Sequence, residues 1–241
     1  MAKATDGVSR APSPSHERLA HPHRWTLSPS DLTFLWEECR RCFYEKVALG
    51  ARRPASPFPK LFGIIDRAMK DFYLGERAEA IATGAPTGVI GSPDRWVKSA
   101  PITLSACGTQ VILRGRLDAL VHCDDGSYGV VDFKTALPHD GHVSLYSRQL
   151  HAYAWALEQP ASGLPSQVSS LGLLCFAPTC FEADGTDAAL VGDVSWIDVP
   201  HDDAGFHALL GEVVALLETP EAPSPDPECR WCAAYGTQTA A

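Results

Sequence analysis

The feature that most constrains the fold is a block of β-strand patterns in the middle of the chain, enclosed by helical patterns. Two segments, 109–123 and 128–135, are rich in β-branched and apolar residues, and the turn sequence Asp-Asp-Gly-Ser separates them. The segment 142–159 then returns to apolar residues at helical spacing. Because helices and strands alternate in this way, the sequence predicts an α/β fold with a mixed sheet.

The other predicted elements follow from periodicity and from residues that start or stop helices. Ser28 and Pro29 suit the start of a first helix, and Gly50 suits its end. The further predicted elements are a helix over 60–75, a helical piece over 76–82, a strand over 102–106 that forms a hairpin with the next strand, strands over 169–178 and 189–200, and a helix over 202–218.

Length and composition predict one domain with short tails. The 241 residues are 45% hydrophobic and 20% charged, which is enough apolar material for a core. Residues 1–26 lack periodicity and are predicted to be a disordered tail, followed by a single domain over 27–235 and a C-terminal tail over 236–241. The sequence shows neither a secretory signal nor a membrane-spanning apolar run, so we expect a cytoplasmic protein without membrane contact.

Two aspartates and a lysine stand out in the β block. Asp118 lies in the first β segment, and Asp132 and Lys134 lie in the second. Residues two apart on a strand share a face, and adjacent antiparallel strands can bring both carboxylates to one ion. Carboxylate oxygens are the ligands that Mg²⁺ prefers. From these residues alone, the alternative is a buried Asp–Lys ion pair without chemistry, and for a bare D-x-K tripeptide it is the better-supported interpretation.

The helix that follows adds two polar residues on one face, since Gln149 and Tyr153 are four apart. An ordinary amphipathic helix is the alternative interpretation. In sequence order the chain carries Asp118, Asp132-Phe133-Lys134 and Gln149-xxx-Tyr153. This order resembles the PD-(D/E)XK nuclease superfamily, and more closely its RecB/Cas4-like exonuclease branch. The opening segment 27–47 also resembles the N-terminal helix of that branch, so the resemblance spans about residues 27–232.

The resemblance implies a restriction-endonuclease-like mixed central β-sheet flanked by helices, and a DNA nuclease that uses Mg²⁺ or Mn²⁺. It implies that Asp118 and Asp132 hold the metal, together with the backbone carbonyl of Phe133. The branch usually adds a histidine on an earlier helix. Here Asp66 stands nearest that place, either as a metal ligand or paired with Lys70 four residues later.

The resemblance also implies roles for the other motif residues. Lys134 would position the attacking water or stabilise the charge that develops on the phosphate. Gln149 and Tyr153 would orient DNA near the metal. The branch implies a helicase or a CRISPR adaptation protein as a possible kind of partner. Two rival interpretations are a non-catalytic nucleic-acid- or protein-binding module that keeps the fold, and a metal-stabilised scaffold with a buried Asp–Lys pair.

Basic residues are concentrated in one segment of an acidic chain. The net charge is −9, whereas the segment from Arg40 to Lys70 carries +6. Such a segment can contact DNA phosphates without reading sequence, or it can be an ordinary solvated helix face. The candidate DNA contacts are Arg40, Arg41, Arg52, Arg53 and Lys60.

Four of the eight cysteines form two CxxC pairs near opposite ends of the chain, Cys39 with Cys42 and Cys229 with Cys232. The spacing of Cys39 and Cys42 predicts that one face of the first helix presents both. Four thiolates suit a tetrahedral zinc ion or a [4Fe–4S] cluster, and the spacing leaves both open. The resemblance implies the iron–sulfur cluster, although that branch places one cysteine near the N-terminus and three near the C-terminus.

Overall fold

The computed structural model describes residues 24–51, 53, 59–104 and 108–232. A π-helical segment occupies Asp31–Leu35, and the α-helices are α1 (Trp36–Glu38), α2 (Arg40–Leu49), α3 (Lys60–Tyr73), α4 (Ala78–Ile81), α5 (Asp140–Glu158) and α6 (Asp203–Leu217). The strands are β1 (Arg24–Leu27), β2 (Gly88–Gly91), β3 (Trp96–Lys98), β4 (Ile102–Thr103), β5 (Gln110–Arg116), β6 (Ala119–Cys123), β7 (Tyr128–Thr135), β8 (Val168–Asp184) and β9 (Asp187–Asp198). The predicted α/β class is confirmed.

The strands form two sheets, and the chain segment between β5 and β6 connects one sheet to the other. The larger sheet has the order β2-β6-β7-β8-β9, and only its β7–β8 pair is parallel. In the smaller sheet β5 pairs with β1 in parallel and with β3 and β4 in antiparallel fashion. The chain passes from the smaller sheet to the larger one between β5 and β6, at Leu117 and Asp118.

Helix α5 is the crossover connection that the parallel β7–β8 pair requires. Its residues contact strands of both sheets, namely β3, β5, β7 and β8. Leu150, Ala154 and Leu157 are buried on this helix, as an amphipathic helix on a sheet requires. Helix α3 contacts β7, and α6 contacts α2 and α5. No helix among the described residues is long and apolar enough to cross a membrane.

The first predicted helix is interrupted, which corrects the expectation of one continuous helix from Pro29 to Gly50. Cys39 has an extended backbone (φ −165°, ψ 112°) and is the N-terminal cap of α2. Its Sγ accepts a hydrogen bond from the backbone N–H of Cys42, at 3.4 Å. The thiol therefore supplies the cap that a serine or aspartate usually provides, and α2 restarts after it.

The predicted strand over 109–123 is also interrupted. Asp118 was expected inside a strand, but it lies in the bend between β5 and β6. The antiparallel β4–β5 pair confirms the predicted hairpin at Ile102 and Thr103, and residues 105 and 106 of the predicted strand lie outside the described residues. Strands β2 and β3 were not predicted, because each is short and near turn residues.

Part of the predicted N-terminal tail is ordered as a strand, since β1 begins at Arg24 and pairs with β5. The expectations for residues 1–23, for Arg52 and for the tail over 236–241 lie outside the described residues.

Candidate active site and metal centre

Asp118 and Asp132 come together where β6 and β7 run side by side. Ala119 is opposite Val131 in this antiparallel pair, so Asp118 lies beside the middle of β7. The Oδ2 atom of Asp118 accepts a hydrogen bond of 3.0 Å from the backbone N–H of Phe133. The two carboxylates thus lie next to each other, as predicted from adjacent antiparallel strands.

Asp132 is the most deeply buried of the acidic groups at this site, with 2% of its surface exposed. Its Oδ1 atom accepts a hydrogen bond of 2.9 Å from Nε2 of Gln149. Its Oδ2 atom forms an ion pair with the ammonium of Lys134. Burial raises the pKa of Asp132, the charge of Lys134 opposes that rise, and the nearby Asp118 adds to it.

Lys134 shares the strand face of Asp132, as the alternation along β7 requires. Its Nζ atom also lies 4.3 Å from the centre of the Tyr146 ring on α5, a cation–π contact. Burial alone would lower the pKa of Lys134, but the carboxylate of Asp132 outweighs burial and raises it. The lysine therefore stays charged beside the carboxylates.

Gln149 and Tyr153 face the same side of α5, and both are buried. Their polar atoms contact protein groups: Gln149 contacts Asp132, and the Tyr153 hydroxyl donates a hydrogen bond of 2.8 Å to the backbone carbonyl of Arg116. A Cβ at Gly115 would come within 3.0 Å of the Tyr153 ring, so glycine permits this close approach. These contacts position the carboxylate and the end of β5, and the DNA-orienting role that the resemblance implies for both residues stays a prediction.

Lys70 on α3 is a central residue of the site that sequence reasoning did not identify as functional. Its buried ammonium contacts three carboxylates, Asp118 at 2.8 Å, Asp66 at 3.0 Å and Asp94 at 3.1 Å. Burial would lower the pKa of Lys70, but the hydrogen bond and charge of Asp118, followed by those of Asp66, raise it. Asp66 thus forms the ion pair that the sequence offered as the alternative to metal ligation.

Asp94 was also missed. It lies in the turn before β3 with a left-handed backbone (φ 54°), a conformation that aspartate tolerates better than most residues. This conformation directs its N–H to the carbonyl of Asp118 at 3.0 Å. The cluster therefore contains four carboxylates and the two ammonium groups of Lys70 and Lys134, so negative charge is in excess. Arg116, whose guanidinium lies 3.6 Å from the Asp94 carboxylate, offsets part of that excess.

Most of the predicted DNA contacts in the described part of the Arg40–Lys70 segment have partners within the protein. Arg40 lies over the Trp36 ring, at 3.6 Å, Arg41 pairs with Glu45, and Arg53 pairs with Glu38. Lys60 is exposed at the start of α3.

A second basic surface lies on the exposed face that β3 and β5 share, next to the carboxylates. The register places Trp96 opposite Arg116 and Lys98 opposite Arg114, and all four side chains lie on the exposed face. Arg114 lies 5.3 Å from the centre of the Trp96 ring, and Trp96 is 64% exposed. We refer to these four residues as the β3–β5 face.

The two CxxC pairs meet at a buried site. The Sγ–Sγ distances are 3.5 Å between Cys39 and Cys232, and 3.8 Å from Cys42 to both Cys229 and Cys232. All four Sγ atoms lie within 4.8 Å of one another. The sequence prediction that these cysteines share one site therefore agrees with the geometry.

In a second cluster of potential ligands, His151, His201 and Asp203, the buried His151 has both ring nitrogens engaged in hydrogen bonds. Nε2 of His151 accepts a hydrogen bond from the backbone N–H of Asp202 at 2.7 Å, so its lone pair is used. Nδ1 then carries the proton and donates to the carbonyl of Ser147 at 2.8 Å. These two hydrogen bonds give His151 a structural role.

Comparison with known proteins identifies the superfamily of the chain. The model of the PD-(D/E)XK nuclease superfamily matches residues 78–236, more than half of the chain. The chain therefore belongs to the PD-(D/E)XK nuclease superfamily, and its mixed sheets flanked by helices are the restriction-endonuclease-like fold of that superfamily.

The chain is similar to the protein in the crystal structure of SSO0001, with 19% identity and a TM-score of 0.49 over 88% of this chain and 84% of the other. No curated protein was found to match the sequence.

Proposed function

We propose that the protein is a metal-dependent DNA nuclease of the RecB/Cas4-like exonuclease branch. The observation that carries the proposal is the meeting of Asp118, Asp132 and Lys134 in one cluster. The sequence order and the superfamily membership support it further. The exonuclease mode and a helicase or CRISPR adaptation partner rest on the resemblance of the motifs to that branch.

The residues present fit a divalent cation. The buried Oε1 of Gln149, whose amide nitrogen contacts Asp132, has no hydrogen-bond partner among the described residues, and an unpaired buried oxygen is costly. The neighbouring carboxylates of Asp118 and Asp132 offer two charged oxygen ligands beside it. Asp118 and Asp132 would hold Mg²⁺ or Mn²⁺, with the Phe133 carbonyl as a further proposed ligand. Such an ion, when bound, supplies a Lewis acid for the phosphate and lowers the pKa of a bound water.

The protein groups around these ligands have separate tasks. Lys134 places a fixed positive charge beside Asp132, where it can stabilise the negative charge that develops on the phosphate. Gln149 orients Asp132 by donating a hydrogen bond from Nε2 to the carboxylate. Lys70 orients Asp118 by donating a hydrogen bond from Nζ to Oδ1 of Asp118. Asp66 is the proposed third ligand only if it leaves its ion pair with Lys70.

DNA would approach over the β3–β5 face. Three cationic side chains there can contact phosphates, and the exposed Trp96 ring can stack on an unpaired base. The face adjoins the site because Asp118 follows β5 by two residues and Arg116 contacts Asp94. Contacts from Arg40, Arg41, Arg52, Arg53 and Lys60 remain part of the proposal, although the first two and Arg53 already contact protein groups.

The proposal is tested by cleavage of end-labelled DNA in Mn²⁺ and in Mg²⁺, with linear and circular single- and double-stranded substrates. We expect Asp132→Asn and Lys134→Met to lower the cleavage rate by at least about 100-fold while keeping the circular dichroism of the wild type. Asp124→Asn is the matched control, because Asp124 is an exposed carboxylate paired with Arg77. An exonuclease degrades linear DNA from one end and leaves circles intact.

Two outcomes contradict the proposal. Wild-type cleavage in the presence of a chelator would remove the metal from the mechanism. DNA binding by wild-type protein without cleavage in either metal would favour the non-catalytic binding module.

A further inference from the structure

The four-cysteine site has the dimensions of a site for a single ion. A tetrahedral ion bound by four thiolates at about 2.3 Å requires sulfur–sulfur separations of about 3.8 Å. The separations of Cys42 from Cys229 and Cys232 are both 3.8 Å, and that of Cys39 from Cys232 is 3.5 Å. No pair of these Sγ atoms is more than 4.8 Å apart.

A [4Fe–4S] cluster needs a wider arrangement. Each thiolate binds a different iron at its own corner of the cube, so the four sulfurs stand farther apart than they do around a single ion. The present separations, all within 4.8 Å, leave no room for four irons and four sulfides between the cysteines. The residues therefore do not fit the cluster that the RecB/Cas4-like resemblance implies.

The two CxxC pairs also form similar turns, which suits two-plus-two ligation of one ion. In the first pair the N–H of Cys42 donates to Sγ of Cys39 at 3.4 Å. In the second pair Cys229 likewise precedes a short helical turn, and it accepts hydrogen bonds from the backbone N–H groups of Trp231 and Cys232. The two sulfurs of each turn therefore face the two sulfurs of the other turn, at separations that a single ion can bridge.

The surroundings supply positive charge and exclude water. Four thiolates with one divalent ion carry a net charge of −2, and Nη2 of Arg53 lies 3.7 Å from Sγ of Cys229. All four cysteines are at most 7% exposed and belong to the hydrophobic cluster of Trp36 and Phe43. Arg53 is held in place by Glu38 at 2.6 Å.

From these observations we infer that Cys39, Cys42, Cys229 and Cys232 bind one zinc ion as a tetrahedral tetrathiolate site, and not an iron–sulfur cluster. The ion fastens the segment around Cys229 and Cys232 to the start of α2, across some 190 residues of chain. Since metal binding is coupled to folding, the site stabilises the contact between α2 and the C-terminal segment.

The experiment uses conditions under which an iron–sulfur cluster would form and survive. The full chain is expressed in medium supplemented with iron and cysteine and is purified without oxygen, and then zinc, iron and sulfide are measured. We expect about one zinc per chain, a colourless protein, and release of that zinc when a mercurial reagent blocks the thiols. About four irons with sulfide and a brown colour, or neither metal, would overturn the inference.

Cobalt substitution identifies the ligands in the wild-type protein, so the test does not depend on variants that fail to fold. Cobalt(II) held by four thiolates in a tetrahedron absorbs strongly in the red part of the visible spectrum, whereas cobalt held by carboxylates absorbs weakly. We expect the strong absorption, and weak absorption alone would overturn the inference. Asp132→Asn should retain zinc, because it changes only the proposed nuclease site.

Single-cysteine variants complete the test. Cys232→Ser should lose most of the zinc, and the exposed Cys180 provides the matched control, Cys180→Ser, which should keep it. Equal zinc content in both variants would contradict the assignment of the ligands.

Discussion

Replacing Lys70 with methionine tests whether the three carboxylates around it form a cation site. Methionine keeps much of the aliphatic volume of lysine and removes the ammonium that contacts Asp66, Asp94 and Asp118. Three negative charges then face one another, so the variant should be less stable without metal. A divalent cation can take the place of the lost ammonium, so it should stabilise the variant more than the wild type.

The magnitude follows from the burial of the ion pairs. Removing one partner of a fully buried pair costs about 3–5 kcal/mol. Lys70 is 8% exposed, but the side chains of Asp118, Asp66 and Asp94 are 21%, 40% and 46% exposed, so solvent screens the carboxylates left behind. We therefore expect a loss of about 2–3 kcal/mol, which for a domain of this size is a fall in Tm of roughly 5–10 °C.

The assay is thermal unfolding of wild type and Lys70→Met, each with a chelator and with Mn²⁺. Mn²⁺ at about 100 times its Kd would return about 2.7 kcal/mol to the variant. Lys46→Met is the matched control, because its Nζ pairs with Asp31 at the surface and surface pairs contribute about 1 kcal/mol or less. The three carboxylates do not form a cation site if Lys70→Met loses no more stability than the control, or if Mn²⁺ raises the Tm of the variant no more than that of the wild type.

Four further changes test other parts of the protein. Gln149→Leu removes the hydrogen bond that orients the buried carboxylate, and should slow DNA cleavage by about 10- to 100-fold at an unchanged fold; an unchanged rate would exclude this positioning role. Arg114→Ala should reduce the salt dependence of single-stranded DNA binding by about 0.7 in the log–log slope, and an equal slope would move the DNA path elsewhere. Trp96→Ala should cost about 1–3 kcal/mol of binding at fixed salt if its ring stacks on a base, and unchanged affinity would contradict stacking. Cys232→Ser should lower the Tm in metal-replete buffer whereas Cys180→Ser should not, and equal Tm values would mean that the four-cysteine site does not stabilise the fold.

Local patterns in the sequence were sufficient to predict several parts of this molecule. The alternation along β7 placed Asp132 and Lys134 on one face, and the turn between β6 and β7 placed Asp118 beside them. The spacing of Gln149 and Tyr153 placed both on one side of α5. These features depend on periods of two and of 3.6 residues, which the sequence displays directly.

Long-range packing determined the features that sequence patterns did not reveal. Lys70, which is 48 residues from Asp118 in sequence, reaches the carboxylates only because α3 packs against β7. Asp94 joins it through a left-handed turn that carries no glycine to signal it. Ion pairs such as Arg53 with Glu38 likewise depend on tertiary structure, so counting basic residues overestimated the free positive charge of this segment.

The break of the first helix at Cys39 has the same origin. Helix periodicity continued through this position, but the extended backbone there lets the thiol cap α2 and face the C-terminal cysteines. The separation of the sulfurs, which favours zinc, is likewise a three-dimensional quantity that spacing in the sequence could not provide.

If Asp118 and Asp132 hold the metal of a nuclease, the rate of DNA cleavage must depend on the concentration of Mn²⁺. We expect that the wild type does not cleave DNA with a chelator and that its rate rises with Mn²⁺ to saturation. We expect Asp118→Asn to be at least about 100-fold slower at the same Mn²⁺ concentration, because the variant loses one charged ligand while Asp132 remains. Equal rates for the two proteins, or wild-type cleavage that does not depend on Mn²⁺ or Mg²⁺, would show that these aspartates do not form a catalytic metal site.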